Sequence, residues 1–253
     1  MGSGSAGNST FIGCGKTRIL IDAGFSARDL AGRLSAVGES PQGLTAIVVT
    51  HEHIDHVRGL ERFSKKWKVP VFMTEPSYRA SNLSEEGRLE AVDFFEPGQA
   101  LAFGPVSLHP FVVPHDAALC VGFRIEAEGM AIGQATDLGE TTALAADRLA
   151  GCDVLILESN HDVDMLRIGP YPWALKQRIA GPGGHLSNDA CARLLQTILA
   201  ERTRRVFLAH LSETNNHPDV ARLTSQAALD LMECERPALE MTYQDRPAAV
   251  VEL

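Results

Sequence analysis

The chain has 253 residues, 45% of them hydrophobic, which is enough for one domain with a sizeable core. Its formal charge of −9 excludes a protein that coats nucleic acid through overall positive charge. A nucleic-acid substrate stays open, because bound dications reverse the local potential at a site with anionic ligands.

The opening GSGSAGN runs into an apolar segment through Asn8 and Ser9 and reads as a native glycine turn, expected near the site. Thr17 to Ile21 reads as a strand ending at Asp22. Ser26 then looks like a helix N-cap, with Asp29 three residues on and an apolar stripe at Leu30, Leu34 and Val37. Leu44 to Thr50, rich in β-branched residues, suits a strand buried on both faces. Helical spacing returns from His56 to Trp67, and Val69 to Thr74 is another strand. From about Val92 to Gly133 the pattern is mostly β. A helix near Thr141 to Leu149, a strand from Asp153 to Glu158 and a helix from Asn188 to Glu201 follow. Arg205 to His210 reads as a strand, His217 to Met232 as a helix, and Leu239 to Val251 as a strand pair or ragged edge.

Striped helices alternating with two-sided strands imply a layered α/β architecture, with residues 1–253 as a single domain. Asp22, His51, His115, Asp137, Glu158 and His210 each fall at or just past the end of a predicted strand, the edge where layered α/β folds bind ligands.

The strongest motif is VVTHEHIDHVRG. Three imidazoles and a carboxylate within six residues, His51, His53, Asp55 and His56, suit divalent metals such as Zn, Mn or Fe. His115, Asp137 and His210 supply further donors. His185 sits at the mouth of a helix capped by Ser187 or Asn188, where an anion or a leaving-group oxygen would be welcome. His161 could orient a ligand or touch substrate. His109 and His217 read as structural or surface residues. The cysteines, Cys14, Cys120, Cys152, Cys191 and Cys234, share no C-x-x-C pair, so a thiolate zinc site is not expected. Buried thiols in a reducing cytosol fit them instead. No apolar run reaches the ~18 residues of a membrane span, and no charged n-region precedes an apolar h-region at the N-terminus. A cytoplasmic protein with no membrane partner is expected.

H-x-H-x-D-H after a buried strand, a downstream histidine, T-D-x-G and a final strand-end histidine resemble the metallo-β-lactamase superfamily, over nearly the whole chain. The G-S-x-x-G-N turn, ESNHD, GHLSN and LAHLSETNN segments are similar to the YycJ/WalJ group, relatives of DNA exonucleases. The GHLSN histidine resembles the additional catalytic histidine of ribonuclease Z type phosphodiesterases. The resemblance implies a four-layer αβ/βα sandwich, two facing mixed sheets flanked by helices. It implies two divalent metal ions, foremost zinc with manganese or iron as alternatives. His51, His53 and His115 would hold one ion, Asp55, His56 and His210 the other, with Asp137 bridging them and Asp22 orienting the metal loop. Asp55, His185 and His161 are then the catalytic candidates.

Three functions follow as expectations. The first is a two-metal phosphodiesterase acting on DNA or RNA from an end through a metal-bridged hydroxide, with His185 helping the leaving oxygen. The second keeps the metals but takes a small phosphodiester, lactone or thioester. The third is a metal-stabilised scaffold, which a missing ligand would favour. No insertion is large enough for the long substrate arm of ribonuclease Z, and the cysteine of some antibiotic-hydrolysing members is absent from the motifs.

Overall fold

The continuous apolar runs form the innermost strands. Ala46–Val48 is buried at every position, and Val154–Glu158 and Arg205–Ala209 at all but one position each. A computed structural model describes residues 1–83, 88–231 and 236–252. Within them the chain forms two mixed sheets flanked by helices and divides into two compact units. The first holds residues 1–109, 117–120 and 243–253, the second 110–116 and 121–242.

In the first unit five strands lie in the order of the chain: β1 (Thr10–Cys14), β2 (Thr17–Ile21), β3 (Ala46–Val48), β4 (Val71–Met73) and β5 (Val92–Phe94). A tight turn with Gly15 at φ 54° makes β1 and β2 antiparallel, and the rest pair in parallel. Leu20, Ile47 and Met73 meet Leu30, Leu34, Leu60 and Phe63 of the Ala27–Ala36 and Leu60–Trp67 helices in one core. Burying each such side chain stabilises the unit by roughly 1.5–3 kcal/mol. Ser26 caps the first helix as expected, its hydroxyl accepting from the Asp29 N–H.

The hairpin of β6 (Leu101–Phe103) and β7 (Val106–Val112) follows, and β7 carries the chain into the second unit. There β8 (Val121–Ala127) and β9 (Met130–Ala135) form an antiparallel hairpin. Its turn places Glu128 and Gly129 at positive φ, the primed-turn geometry that matches strand twist. The parallel strands β10 (Val154–Glu158), β11 (Arg205–Ala209) and β12 (Ala238–Met241) continue in the order β9-β10-β11-β12. The helices Ala143–Leu149, Asn188–Ile198 and Pro218–Asp230 lie within one or two residues of the expected starts and up to three of the expected ends.

Two expectations needed revision, and one strand had no forerunner in the sequence reading. The stretch from His56 to Trp67 is not one helix. It breaks at Gly59, whose N–H leaves the helical ladder to donate to the Ala23 carbonyl at 2.9 Å. The C-terminal segment is a strand over Ala238–Met241 alone: after one further bond to β11, from the Thr242 N–H to the Leu208 carbonyl, the Tyr243 carbonyl accepts from the Ser3 N–H instead. Strand β1 escaped notice because its side chains are all half-buried or exposed and show no apolar period. No disulfide joins the described cysteines, and burial pushes the Cys191 thiol up to about 12, which makes it inert. Cys234 and the end of the predicted helix at Met232 lie outside the described residues. Among these residues no helix is long and apolar enough to cross a membrane.

An ion pair closes the far end of the second sheet. The buried Asp153 carboxylate accepts from the Ala131 N–H at 2.8 Å and from Arg202 at 2.5 Å. Burial would raise this carboxyl, but the bonds from Arg202 and Ala131 outweigh it and hold it below the usual carboxylate range. A depressed folded value contributes stability above the unfolded value of about 3.9, lost as pH falls through the folded one. Asp153→Asn is therefore expected to cost ~1–3 kcal/mol at neutral pH. Urea melts should show the gap to the wild type narrowing below about pH 4; an equal gap at both pH values would contradict the assignment.

Candidate metal centre

The first unit carries its donors in the loop after β3. Asp22, just past β2, reaches this loop: its carboxylate accepts from the Thr50 N–H at 2.8 Å and from the Thr50 hydroxyl. It also takes the His56 Nδ1–H at 2.8 Å. His51 Nδ1 is 3.1 Å from the Thr50 hydroxyl, which can accept its proton. These partners fix the tautomers, so that Nε2 of both rings carries a lone pair. The rings are packed together, with centroids 4.1 Å apart for His51 and His56 and 4.6 Å for His51 and His53. Imidazoles this close repel when protonated, and in the neutral form they are metal donors.

Asn8, from the glycine turn, was not among the predicted site residues. Its side-chain amide lies 3.1 Å from both Asp55 Oδ2 and His56 Nε2, while its oxygen accepts from Ser3 and Gly4. Its backbone N–H donates to the Asp55 carbonyl at 2.8 Å. The glycine turn thus lies against the Asp55–His56 loop, and the signal was the Asn that ends the glycine run.

Gly24, in the same contact, admits no side chain. A Cβ there would fall 1.7 Å from the Asp55 carbonyl oxygen and 2.6 Å from the Asn8 nitrogen. Gly24→Ala must displace the ligand loop, and an overpacking cost of at least ~1–3 kcal/mol with loss of bound metal is expected. Gly32→Ala, in a helix with nothing within 4 Å, should instead stabilise by ~0.5–1 kcal/mol. Thermal melts and metal analysis of the two variants check this, and equal behaviour would contradict it.

In the second unit Asp137, Glu158, His185 and His210 bring their donor atoms within 4.8 Å of one another. Each carboxylate or histidine sits just past a strand or at its end, except His185, which precedes the Ser187-capped helix. Glu158 was seen as a strand-end residue but given no role. It is fully buried, accepts from the Leu138 and Leu186 N–H groups, and takes His185 Nδ1 at 2.8 Å. Burial would raise its carboxyl, yet His185 and His210 hold it down to about 2. Burial would lower His210, but Asp137 and Glu158, each 3.1 Å from its Nδ1, push it up to about 10. Two buried carboxylates around one imidazole leave an anionic cluster that a divalent cation would neutralise. His115 donates Nδ1–H to the Gly184 carbonyl at 3.0 Å, and burial lowers it toward the neutral ligand form.

Asp22, Asp137 and His210 share a feature invisible in composition. All three have positive φ, at 63°, 57° and 55°. Such backbone costs an L-residue about 1–3 kcal/mol and persists where surrounding contacts dictate it.

The asparagines of ESNHD, GHLSN and LAHLSETNN brace the same end of the second sheet. Asn216 donates to the Ser159 and Asn160 carbonyls, Asn188 accepts from Ser159 and Asn216, and Asn160 donates to the His210 carbonyl at 2.8 Å. His161 is buried beside them. It bridges in parallel to Ser187, its carbonyl accepts the Asn188 N–H, and its Nδ1 meets no partner among the described residues. Burial lowers it, so it is neutral near pH 7.

Two mixed sheets with histidines and carboxylates at their strand ends define a class. The chain belongs to the beta-lactamase superfamily: that domain family matches residues 17–211, and the protein is a metal-dependent hydrolase of the family. It is 34% identical to exodeoxyribonuclease WalJ of Streptococcus pneumoniae serotype 2 (strain D39) over 227 residues, 88% of this chain and 84% of the relative. It is 31% identical to exodeoxyribonuclease YycJ of Bacillus anthracis over 231 residues, 91% of this chain and 88% of the relative. Among solved structures the metallo-β-lactamase fold protein YhfI of Bacillus subtilis is similar, with a TM-score of 0.73 and 16% identity across 96% of this chain and 94% of that one. The family implies divalent metal ions, and the imidazole and carboxylate donors fit them.

Proposed function

We propose that this protein is a two-metal phosphodiesterase that shortens DNA or RNA from an end. The observation that carries it is the Glu158–His185 pair. Glu158 holds His185 through Nδ1 at 2.8 Å, which leaves Nε2 free on a side chain 23% exposed. Burial would lower His185, but the Glu158 charge and hydrogen bond outweigh it and hold the imidazole above its ordinary value. A protonated ring so placed can hand a proton to a departing alkoxide.

On the family resemblance, His51, His53 and His115 would hold one ion, Asp55, His56 and His210 the other, and Asp137 would serve both. Residues 1–253 then act as one hydrolase domain. The common pattern of Nδ1 anchors supports it: His51 faces Thr50, His56 faces Asp22 and His115 faces Gly184, which turns each Nε2 away from its anchor. When bound, the ions supply Lewis acidity and bring the pKa of water toward ~7. Zinc is the proposed occupant, with manganese and iron compatible with the same donors. Asp55, held by Asn8, accepts a proton on the attacking side. Asp22 keeps the loop in register. His161, buried beside the asparagines, would orient a ligand or touch substrate. The cytoplasm is the proposed setting, in keeping with inert buried thiols.

The test incubates metal-loaded protein with end-labelled DNA and RNA beside an Asp55→Ala control. Stepwise shortening by the wild type alone is expected. Equal background from both proteins on every polymer, with turnover of lactones or thioesters instead, would overturn the reading.

A further inference from the structure

Between the Ala27–Ala36 and Leu60–Trp67 helices of the first unit lies a cleft of about 530 Å³. Arg28, Arg58, Arg62 and Lys66 line it, with Ala31 and Trp67 completing its walls. All four cations are exposed, and no acidic side chain lines the cleft. Among the described residues none of the four forms an ion pair, although Arg18, Arg79, Arg124, Arg178 and Arg202 each meet a carboxylate. The nearby acids are engaged elsewhere: Glu61 pairs with Lys65 and Arg88, and Asp29 takes the Ser26 hydroxyl. In a chain of charge −9, four clustered cations left uncompensated mark a site for an anion.

We propose that this cleft is a binding track for the phosphodiester backbone of a single-stranded nucleic acid. Arg62 and Lys66 stand one turn apart on the Leu60–Trp67 helix, about 6 Å at ~1.5 Å per residue, and Arg58, just before the break at Gly59, extends the row along the cleft. A row suits consecutive phosphates better than one free phosphate. Trp67 is half-buried in the wall against Phe63, ring centroids 4.4 Å apart, with the Lys66 ammonium 4.6 Å from its centre. A concave wall of this kind fits a strand, not a flat lipid surface, for which aromatics would project. The track is also continuous with the ligand loop. Arg58 lies three residues after Asp55, and the Gly59 N–H on the cleft floor donates to Ala23, whose own N–H donates to the His56 carbonyl. The choice of nucleic acid rests on the nuclease reading above; the cleft's cations do not.

The experiment measures anisotropy of a fluorescein-labelled oligothymidylate bound to the full chain in EDTA, across a salt series. The variant Arg28→Ala/Arg62→Ala/Lys66→Ala is compared with Arg148→Ala/Arg193→Ala/Arg222→Ala, which removes the same charge from exposed positions of the second unit. The cleft variant should bind at least tenfold more weakly. Its log–log salt slope should fall by about 2, at ~0.7 per phosphate contact on a single strand. The control should keep the wild-type slope. Arg28→Lys/Arg62→Lys, which preserves charge and cannot be blamed for misfolding, should bind as wild type. Equal weakening in both triple variants, an unchanged cleft variant, or binding of phosphatidylserine vesicles without the oligonucleotide would overturn the proposal. Failure of the nuclease reading would look different: DNA and RNA would stay uncut while the anisotropy contrast persisted.

Discussion

His185→Ala is expected to slow cleavage of a DNA phosphodiester by about 10²–10⁴-fold, the usual weight of a general acid. The same variant should lose far less on bis-p-nitrophenyl phosphate, whose leaving group departs without a proton. The reason lies in the Glu158 contact. A fully buried carboxylate fixed by the Leu138 and Leu186 N–H groups cannot turn away, so it holds the imidazole in one orientation and one tautomer. Glu158→Gln keeps the shape but removes the charge that raises His185, and should move the alkaline limb of the pH–rate profile to lower pH. Equal losses on both substrates for His185→Ala would mean that the ring binds instead of protonating.

Asp137→Asn should have the second large effect. Asn tolerates positive φ almost as well as Asp, so the backbone at 57° survives and only the charge is lost. Loss of an outer partner of a metal ligand costs 10–100-fold in affinity, and loss of a bridging ligand should exceed about 100-fold. In the metal-free protein the same change removes the leading force raising His210, so its pKa should fall from about 10 toward the ordinary imidazole value. The sign is fixed: a raised folded value stabilises below the unfolded value and the gain is lost on titrating through 10, so the variant loses most below pH ~6.5. NMR titration of the His210 ring and metal analysis measure both effects. Wild-type metal content in the variant would remove Asp137 from the proposed set.

Much of this was legible because the strands announce themselves. LTAIVVT, DVLILE and RVFLAH are apolar runs with a polar residue at the downstream end, and each became a buried strand of one sheet or the other. The histidine motif needed no structure to be read as metal chemistry, and of the two caps read for the helix after GHL, Ser187 or Asn188, Ser187 holds it. Other features depended on contacts between distant residues. Glu158 looks like any strand-end acid until His185, 27 positions on, closes upon it. Asn8 gains meaning only when the chain returns at Asp55, 47 residues later. Glycine is required at the break because the Phe25 carbonyl lies 2.0 Å from where a Gly59 Cβ would sit, which no local pattern encodes. The asparagines of the C-terminal motifs were family marks in sequence and became the amide network that supports His161 and His210 in space.

The proposed function requires two divalent ions for phosphodiester cleavage. Titrating metal-free protein with Mn²⁺ or Zn²⁺ while following the shortening of end-labelled DNA tests it most directly. Cleavage should rise from background to a plateau at two ions per chain, and Asp55→Ala should stay at background throughout. A wild-type plateau reached without added metal, or a rate unaffected by the Asp55 substitution, would contradict it.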